Sequence, residues 1–354
     1  MPEQALSGCS SPDGSSSKGR NLTERTGTPR GAGGPLDVEY LSSLLKQGGK
    51  LDRAVPSFEY RPAQVQMLEA VAYSFNNAEK LIVEAGTGTG KSIAYLIPSF
   101  YFSLSTGRPV VISTNTINLQ EQLLGKDIPD LAAALQLPAD FRAVTLKGRS
   151  NYLCLRRFQI NRDAIAREEG GTELVPRLNG WLSTTNSGDV SELGLMGKQG
   201  VLWTRICARE GECLAEKCRF HEQGLCFLMA ARAKARNASI VITNHALLIA
   251  DLVSGGQLLP DYKHLIIDEG HHLEDVATDQ FGWSVSQNGI AELVKEIEQE
   301  MVSLNRFQRS GRVPSQRKHD LAGLVDECRR CSRDLALRSE AFFKAVSEPA
   351  IDAG

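Results

Sequence analysis

The sequence predicts an α/β fold in which a parallel sheet is covered by helices on both faces. Five short β-branched runs are typical of buried strands, at 80–86, 108–114, 141–148, 238–245 and 264–270 of the 354-residue chain. Helix-length amphipathic segments separate the first three runs, and strands that alternate with helices favour a parallel sheet. A glycine-rich turn links the first run to the next helical segment, as expected of this class.

The pattern along the chain predicts five segments. Residues 1–36 are rich in Ser, Gly, Thr and charge and should form a disordered tail. The α/β core occupies 37–148 and resumes at 237–280. A cysteine-bearing, charge-rich insertion at 149–236 interrupts it, and 281–354 shows only helical patterns. The insertion is called the cysteine region below.

Composition excludes some classes of protein. The chain is 42% hydrophobic and 23% charged, as in soluble globular proteins, and its net charge of -2 gives no overall attraction to nucleic acid. The longest apolar stretch, near 93–104, contains Pro98 and is shorter than the ~20 residues of a membrane span. Eight cysteines without a signal-peptide pattern predict a reducing, cytoplasmic location and no membrane partner.

The stretch "EAGTGTGKSIAYLIP" (84–98) predicts a nucleotide site. In a loop between strand and helix, backbone N–H groups can cradle the phosphates of ATP. Lys91 would pair with phosphate, and Ser92 would ligate Mg²⁺. A glycine-rich connection without ligand is the alternative, which Gly-Lys-Ser at a helix start disfavours. The candidate loop residues are Gly86, Thr87, Gly88, Thr89 and Gly90.

Acidic and amide side chains complete the predicted site. In "LIIDEGHH", Asp268 can hold Mg²⁺ directly or through water, and Glu269 can polarise the attacking water. Two acids that merely end a strand are the alternative. Upstream, Arg61 and Gln64 precede the first strand, and a glutamine amide offers a donor and an acceptor to the adenine edge.

Five cysteines fall in or beside the cysteine region: Cys154, Cys207, Cys213, Cys218 and Cys226. Four thiolates suit either a [4Fe-4S] cluster or structural zinc. The wide, irregular spacings mildly favour the cluster, and one of the five cysteines is spare.

Basic and aromatic residues in the same region suit single-stranded nucleic acid, since cations bind phosphates and aromatic rings stack on bases. A solvated charged surface around a small aromatic core explains them equally well. The residues are Lys147, Arg149, Arg156, Arg157, Arg205, Arg209, Arg232, Lys234 and Arg236, with Tyr152, Trp203 and Phe227.

Together the motifs resemble the DinG branch of the XPD-like iron–sulfur helicases of superfamily 2. The resemblance is carried by the loop at 84–98 and by "STNTINLQEQL" (113–123), "LKGRSNYLC" (146–154), "CFLMAARAKARNASIVITNHALL" (226–248) and "IIDEGHHLEDVA" (266–277). It implies an ATP-dependent DNA helicase that moves 5′ to 3′ along single-stranded DNA, with a [4Fe-4S] insertion in its first RecA-like lobe.

The resemblance also implies roles for single residues. Cys154, Cys213, Cys218 and Cys226 fall where the family places its cluster ligands, which leaves Cys207 as the spare thiol. Residues 114–122 look like the strand-contacting motif, and His245 like part of the segment that couples it to the acidic motif.

The segment 281–354 resembles the start of a helical arch domain, and no second lobe follows it. The chain therefore looks like the front half of a helicase. Such a chain should hydrolyse ATP poorly and depend on a second lobe for unwinding. A nucleic-acid-binding module with a structural metal and an inactive motor is the alternative. A phosphate-loop signalling switch is disfavoured by 113–123 and by the cysteines.

Overall fold

The computed structural model describes residues 34–55, 58–86, 88–282, 285–309 and 315–351. The described chain falls into two compact units that divide between Gln280 and Phe281. Most of the predicted tail, up to residue 33, and Thr87 of the glycine-rich loop lie outside the described residues.

A four-stranded parallel sheet forms the centre of the first unit, within the described residues. Its strands are β1 (Val110–Thr114), β2 (Ala143–Thr145), β3 (Ile240–Asn244) and β4 (His264–Ile267). Their order is β2-β3-β1-β4, and all three pairings are parallel. The predicted α/β class with a parallel sheet is confirmed. The carboxyl ends of all four strands consequently meet at one edge of the sheet.

Fifteen α-helices occur in the described residues. They are α1 (Val38–Ser43), α2 (Lys50–Ala54), α3 (Pro62–Asn77), α4 (Lys91–Thr106), α5 (Ile117–Gln122), α6 (Ile128–Leu135), α7 (Leu155–Ile165), α8 (Gly171–Leu182), α9 (Lys198–Trp203), α10 (Arg219–Glu222), α11 (Phe227–Arg236), α12 (His245–Val253), α13 (Leu273–Phe281), α14 (Gln287–Arg309) and α15 (Ser315–Ile351). A π-helical turn at Leu123–Asp127 joins α5 to α6.

The two faces of the sheet pack into different cores. Side chains alternate along a strand, so neighbouring residues face opposite sides. Val110 and Ile112 of β1 contribute to the larger core, which is formed with α3 and α4. Val111, between them, contributes to a second core with Leu247 and Leu248 of α12. Helices therefore cover both faces, as the sequence predicted.

The first predicted strand does not pair with the sheet. Residues 80–86 are irregular, and Ile82 in their middle is 98% exposed. The expectation of a buried strand before the glycine-rich loop is therefore wrong for the described chain. The physical reason is that a β-branched run gains stability from cross-strand neighbours and burial, and no described strand lies beside this one.

The edge strands are less buried than predicted. β1 and most of β3 are fully buried, whereas β2 and β4 are half-buried, and Ile267 at the end of β4 is 38% exposed.

Leu36, placed in the predicted tail, packs into the larger core and exchanges two hydrogen bonds with the Asn76 side chain. The packed chain thus begins before the predicted boundary at residue 37.

The cysteine region has a core of its own, which includes Phe158, Leu174, Leu178 and Trp203. An ion pair fastens this region to the sheet: Lys147, just after β2, lies 2.7 Å from Asp189, and both side chains are largely buried. Removal of either partner from a buried ion pair is strongly destabilising, because the remaining charge would be left buried without compensation.

The second unit consists of α14 and α15, which pack against each other. Met301 and Val325 are buried in this unit. Nowhere in the described chain does a helix combine the length and apolarity that crossing a bilayer requires.

His264 provides a pH-sensitive contact between β4 and the larger core. Its ring stacks on Phe75, with centroids 4.4 Å apart, and meets Phe102 edge-on at 4.1 Å. Burial, reinforced by the charge of Lys263, lowers the pKa of His264 to about 4. The folded state therefore keeps this ring neutral between pH 6.5 and 4, where the unfolded chain takes up a proton.

We expect the contribution of His264 to stability to be complete above pH 6.5 and to fall progressively towards pH 4, by up to about 3 kcal/mol. Urea unfolding of the wild type and of His264→Phe between pH 7.5 and 4.5 measures it, because the phenyl ring keeps the stacking but cannot titrate. If the free energy of unfolding changed with pH by the same amount in the two proteins, the prediction would be contradicted.

Candidate functional site

The glycine-rich loop leads directly into α4, as a phosphate site requires. Gly88 and Gly90 both have φ of +82°, and Gly90 is the N-cap of α4. The backbone N–H and hydroxyl of Thr89 both donate to the carbonyl of Gly86, at 3.4 and 2.7 Å. The free N–H groups at the start of α4 and its positive dipole end form the part of the loop suited to an anion.

The predicted catalytic residues come together at the carboxyl edge of the sheet. Lys91 Nζ lies 3.5 Å from Glu269 Oε1, and each side chain is 32% exposed. Asp268 directly follows β4, and its backbone N–H donates to the carbonyl of Ser113 at 2.8 Å, which extends the β1–β4 pairing by one residue. A basic and two acidic groups thus share a solvent-accessible edge.

Glu269 adopts an uncommon backbone conformation. Its φ of 55° and ψ of 45° lie in the left-handed region, which residues with a Cβ rarely occupy. Its N–H donates to Asp268 Oδ1 at 3.0 Å, and its carbonyl accepts from the backbone N–H of His272 at 3.1 Å. These bonds hold the turn that directs the Glu269 side chain towards Lys91.

Tyr95 is a site residue that the sequence analysis missed. Its hydroxyl donates to Asp268 Oδ2 at 2.9 Å from the first turns of α4. Burial raises the pKa of Tyr95 well above its usual value, and the Asp268 carboxylate raises it further. The phenol therefore stays protonated and remains a donor. Its spacing was the available signal, because residue 95 follows Ser92 by three positions and lies on the same side of the helix.

Arg61 and Gln64 contact the glycine-rich loop. The Arg61 guanidinium donates to the carbonyl of Gly88, and Gln64 Nε2 donates to that of Gly90 at 3.0 Å. Gln64 is only 2% exposed. Both residues therefore support the loop, and the role of Gln64 towards adenine stays a prediction.

His245 links two strand ends at the same edge. It is 1% exposed, and its Nδ1 lies 2.7 Å from Ser113 Oγ. Burial lowers the pKa of His245, partly opposed by the backbone carbonyls of Glu269 and Asp268 nearby. The side chain thus joins the end of β1 to the start of α12, and its part in a coupling segment stays a prediction.

The oxygen ligands at this edge suit magnesium. The Ser92 hydroxyl and the Asp268 carboxylate supply hard oxygen donors, and Mg²⁺ in nucleotide sites needs only one or two protein ligands beside phosphate and water. Lys91 next to them would meet the phosphate charge.

All four predicted cluster ligands lie in the described chain. Burial raises the pKa of the Cys226 thiol, and the neighbouring Cys213 and Cys154 add to the rise. Cys218 is buried at the start of α10. All seven described cysteines are free thiols. Thiols are the correct donors for an iron–sulfur cluster or zinc, although no three acidic, histidine or cysteine side chains of the described chain converge on one metal position.

The aromatic residues of the cysteine region are structural. Trp203 and Tyr152 are 5% and 3% exposed, and Phe227 packs so closely on Gly188 that a Cβ there would lie 2.2 Å from its ring. Base stacking is therefore not available on Tyr152 and Trp203, and Phe227, which is partly buried, packs against the same cores, so the alternative of a small aromatic core describes these residues.

Several of the basic residues are paired internally. Lys147, Arg157 and Arg205 form ion pairs with acidic neighbours. The pKa of Arg232, which lies on α11, is lowered by burial and by the positive charges of Arg149 and Arg236 nearby. Arg149 also lies 4.0 Å from Glu210, which partly compensates its charge, so the three arginines form a positive surface that is a candidate for attracting phosphates.

Comparison with known proteins gives concordant relatives. YoaA of Escherichia coli (strain K12), named an ATP-dependent DNA helicase, is 37% identical over 256 residues, which cover 70% of this chain and 39% of the relative. DinG of Mycobacterium tuberculosis (strain ATCC 25618 / H37Rv), named an ATP-dependent helicase, is 40% identical over 239 residues, or 62% of this chain and 35% of the relative. The chain belongs to the DinG-type helicase family over this matched region.

A further relative carries a different name, and the match covers a smaller share of its length. A Bacillus subtilis (strain 168) protein named 3'-5' exonuclease DinG is 37% identical over 235 residues, which cover 66% of this chain and 24% of that protein. No protein-family model matches. The chain thus spans roughly a quarter to two fifths of the length of these DinG-type relatives.

Gly90 offers a test of the loop geometry. A Cβ on Gly90 would lie 2.0 Å from Gln64 Nε2, whereas one on Gly88, which has the same φ, would meet nothing within 4 Å. We expect Gly88→Ala to lower the free energy of unfolding by about 1–2 kcal/mol through left-handed strain alone. Gly90→Ala should cost roughly 1–3 kcal/mol more, because the side chain overpacks the Gln64 contact.

Urea unfolding of the two variants measures this difference. The extra cost of Gly90→Ala should disappear in a Gln64→Ala background, where the clashing amide is gone. Equal costs for Gly88→Ala and Gly90→Ala would show that Gln64 does not restrict the loop.

Proposed function

We propose that this chain carries the first motor lobe of an ATP-dependent DNA helicase that moves 5′ to 3′ along single-stranded DNA. The observation that carries the proposal is the approach of Lys91 to Glu269, two residues that are 178 positions apart in sequence. The DinG-type relatives that are named helicases support it.

In this proposal each site residue has a distinct task. The N–H groups at the start of α4 and Lys91 bind the phosphates of ATP, while Ser92 and Asp268 hold magnesium. Magnesium when bound neutralises phosphate charge and orients the reacting group. Glu269 accepts a proton from the attacking water, and its contact with Lys91 keeps it near the position of the γ-phosphate.

Completion of the motor requires a second RecA-like lobe. Helicase ATP sites lie between two lobes, and an arginine from the second one stabilises charge on the transferring phosphoryl group. We propose that further polypeptide or a partner chain supplies it. By itself the chain should bind ATP and hydrolyse it slowly, since such an arginine accounts for roughly 10³–10⁵ in rate.

The contact with DNA is assigned to the carboxyl edge of β1 and to the positive surface around Arg149, Arg232 and Arg236. Phosphate contacts of this kind give binding that weakens steeply with salt. Because Tyr152 and Trp203 are buried and Phe227 is partly buried against the cores of the cysteine region, we assign this region a role in holding the DNA backbone, without base stacking.

A cluster in the cysteine region is the remaining part of the proposal. The four thiols Cys154, Cys213, Cys218 and Cys226 would hold a [4Fe-4S] group, with zinc as the alternative. Thiols are the correct donors for either group, and all four of these cysteines are free, which supports a shared ligand.

Glu269→Gln tests the motor. We expect ATP turnover to fall by about 10²–10⁴-fold because the base is lost, with little change in ATP binding. Turnover and fluorescent-nucleotide binding are measured with and without single-stranded DNA. Glu274→Gln, an exposed acid on α13, is the matched control and should behave like the wild type.

A wild-type chain that binds DNA but shows no ATP turnover above the Glu269→Gln level would contradict the motor. That result would favour the second candidate function, a nucleic-acid-binding module with a structural metal and an inactive motor.

Cys213→Ser tests the cluster. Anaerobically purified wild type should contain about four irons per chain and absorb near 400 nm, and the variant should lose both. Cys207→Ser and Cys328→Ser, which change cysteines outside the proposed ligand set, should keep them. Stoichiometric zinc without a chromophore would overturn the cluster and leave the nucleotide site unaffected.

A further inference from the structure

The Tyr95 hydroxyl lies at the junction of two segments that the proposed function requires. It is carried by α4, which begins at the end of the glycine-rich loop, and it donates at 2.9 Å to Asp268, which follows β4. The two residues are 173 positions apart in sequence. This bond is therefore a direct connection between the phosphate-binding loop and the acidic motif.

The tyrosine is fixed in place by its surroundings. Its side chain is 2% exposed within the larger core, where it packs in the well-filled first half of α4. Close packing leaves a buried ring few alternative rotamers. The hydroxyl can therefore serve as a rigid reference point for whatever it contacts.

The Asp268 carboxylate is held at both oxygens. Oδ2 accepts from Tyr95, Oδ1 accepts from the Glu269 N–H at 3.0 Å, and the backbone N–H of Asp268 is bound to Ser113. An ionised carboxylate has about four lone-pair positions, so each oxygen retains capacity for a further ligand. The arrangement orients the group without occupying it fully.

We propose that Tyr95 is a positioning residue for the magnesium site, where it orients the Asp268 carboxylate towards the ion. This inference rests on the proposed function, because it concerns the same ATP site. Partners that orient metal ligands typically affect metal affinity by 10–100-fold. Tyr95 thereby couples the loop to the acidic motif before nucleotide arrives.

The test is a magnesium titration of nucleotide binding, which does not depend on turnover. A fluorescent ATP analogue is bound to the full chain, first in EDTA and then with increasing Mg²⁺, and followed by anisotropy. Tyr95→Phe removes only the hydroxyl. We expect its half-saturating Mg²⁺ concentration to rise about tenfold or more, while binding in EDTA stays within about twofold of the wild type.

Tyr101→Phe is the matched control. Tyr101 lies on the same helix, and its hydroxyl is 3.3 Å from that of Tyr40, away from the acidic motif. It should leave the magnesium titration unchanged. An identical titration for Tyr95→Phe and Tyr101→Phe overturns the proposal.

A double-mutant cycle separates positioning from loss of fold. If Tyr95 acts through Asp268, then Tyr95→Phe has no further effect on the magnesium titration in an Asp268→Asn background. If the effects of the two substitutions on the half-saturating Mg²⁺ concentration are additive, the proposal is overturned. It is also overturned if Tyr95→Phe loses nucleotide binding in EDTA. A wild-type chain without any magnesium-dependent binding would instead refute the proposed function itself.

Discussion

The candidate site depends on the parallel pairing of β1 with β4. Because β1 is a fully buried central strand, its register with β4 is fixed by the core on both faces. The bond from the Asp268 N–H to the Ser113 carbonyl continues that register past the end of β4. The acidic turn consequently emerges at a defined point beside α4. A slip of one residue would turn every side chain of β4 to the opposite face.

From this point a polar network extends in two directions. One branch passes from Asp268 to Tyr95 and the start of α4, and the other from Ser113 to His245 at the start of α12. Buried networks of this kind have a single low-energy arrangement when their members are satisfied, because an unpaired buried polar group is costly. The network therefore gives the site a defined geometry although most of its phosphate-facing surface is open.

The cysteine region is attached to the same framework through its own core and through the ion pair of Lys147 with Asp189. Its aromatic residues pack into that core, and the proposed function therefore assigns contact with nucleic acid to electrostatic attraction by Arg149, Arg232 and Arg236. No three side chains of metal-ligand type converge on one position in the described part of the cysteine region. Because metal ligation is coupled to folding, binding of a metal group would have to draw the thiols of this region together.

Local sequence pattern was enough to predict the α/β class and four of the five strand positions, and it indicated Lys91, Asp268 and Glu269 as candidate site residues. These follow from local pattern, since side-chain alternation and a Gly-Lys-Ser turn are properties of a few consecutive residues. The tertiary structure alone decided that 80–86 stays unpaired, that Gln64 is buried beneath the loop and that Tyr95 reaches Asp268. Each of these depends on a neighbour far away in sequence, and no local pattern specifies which distant group will be met.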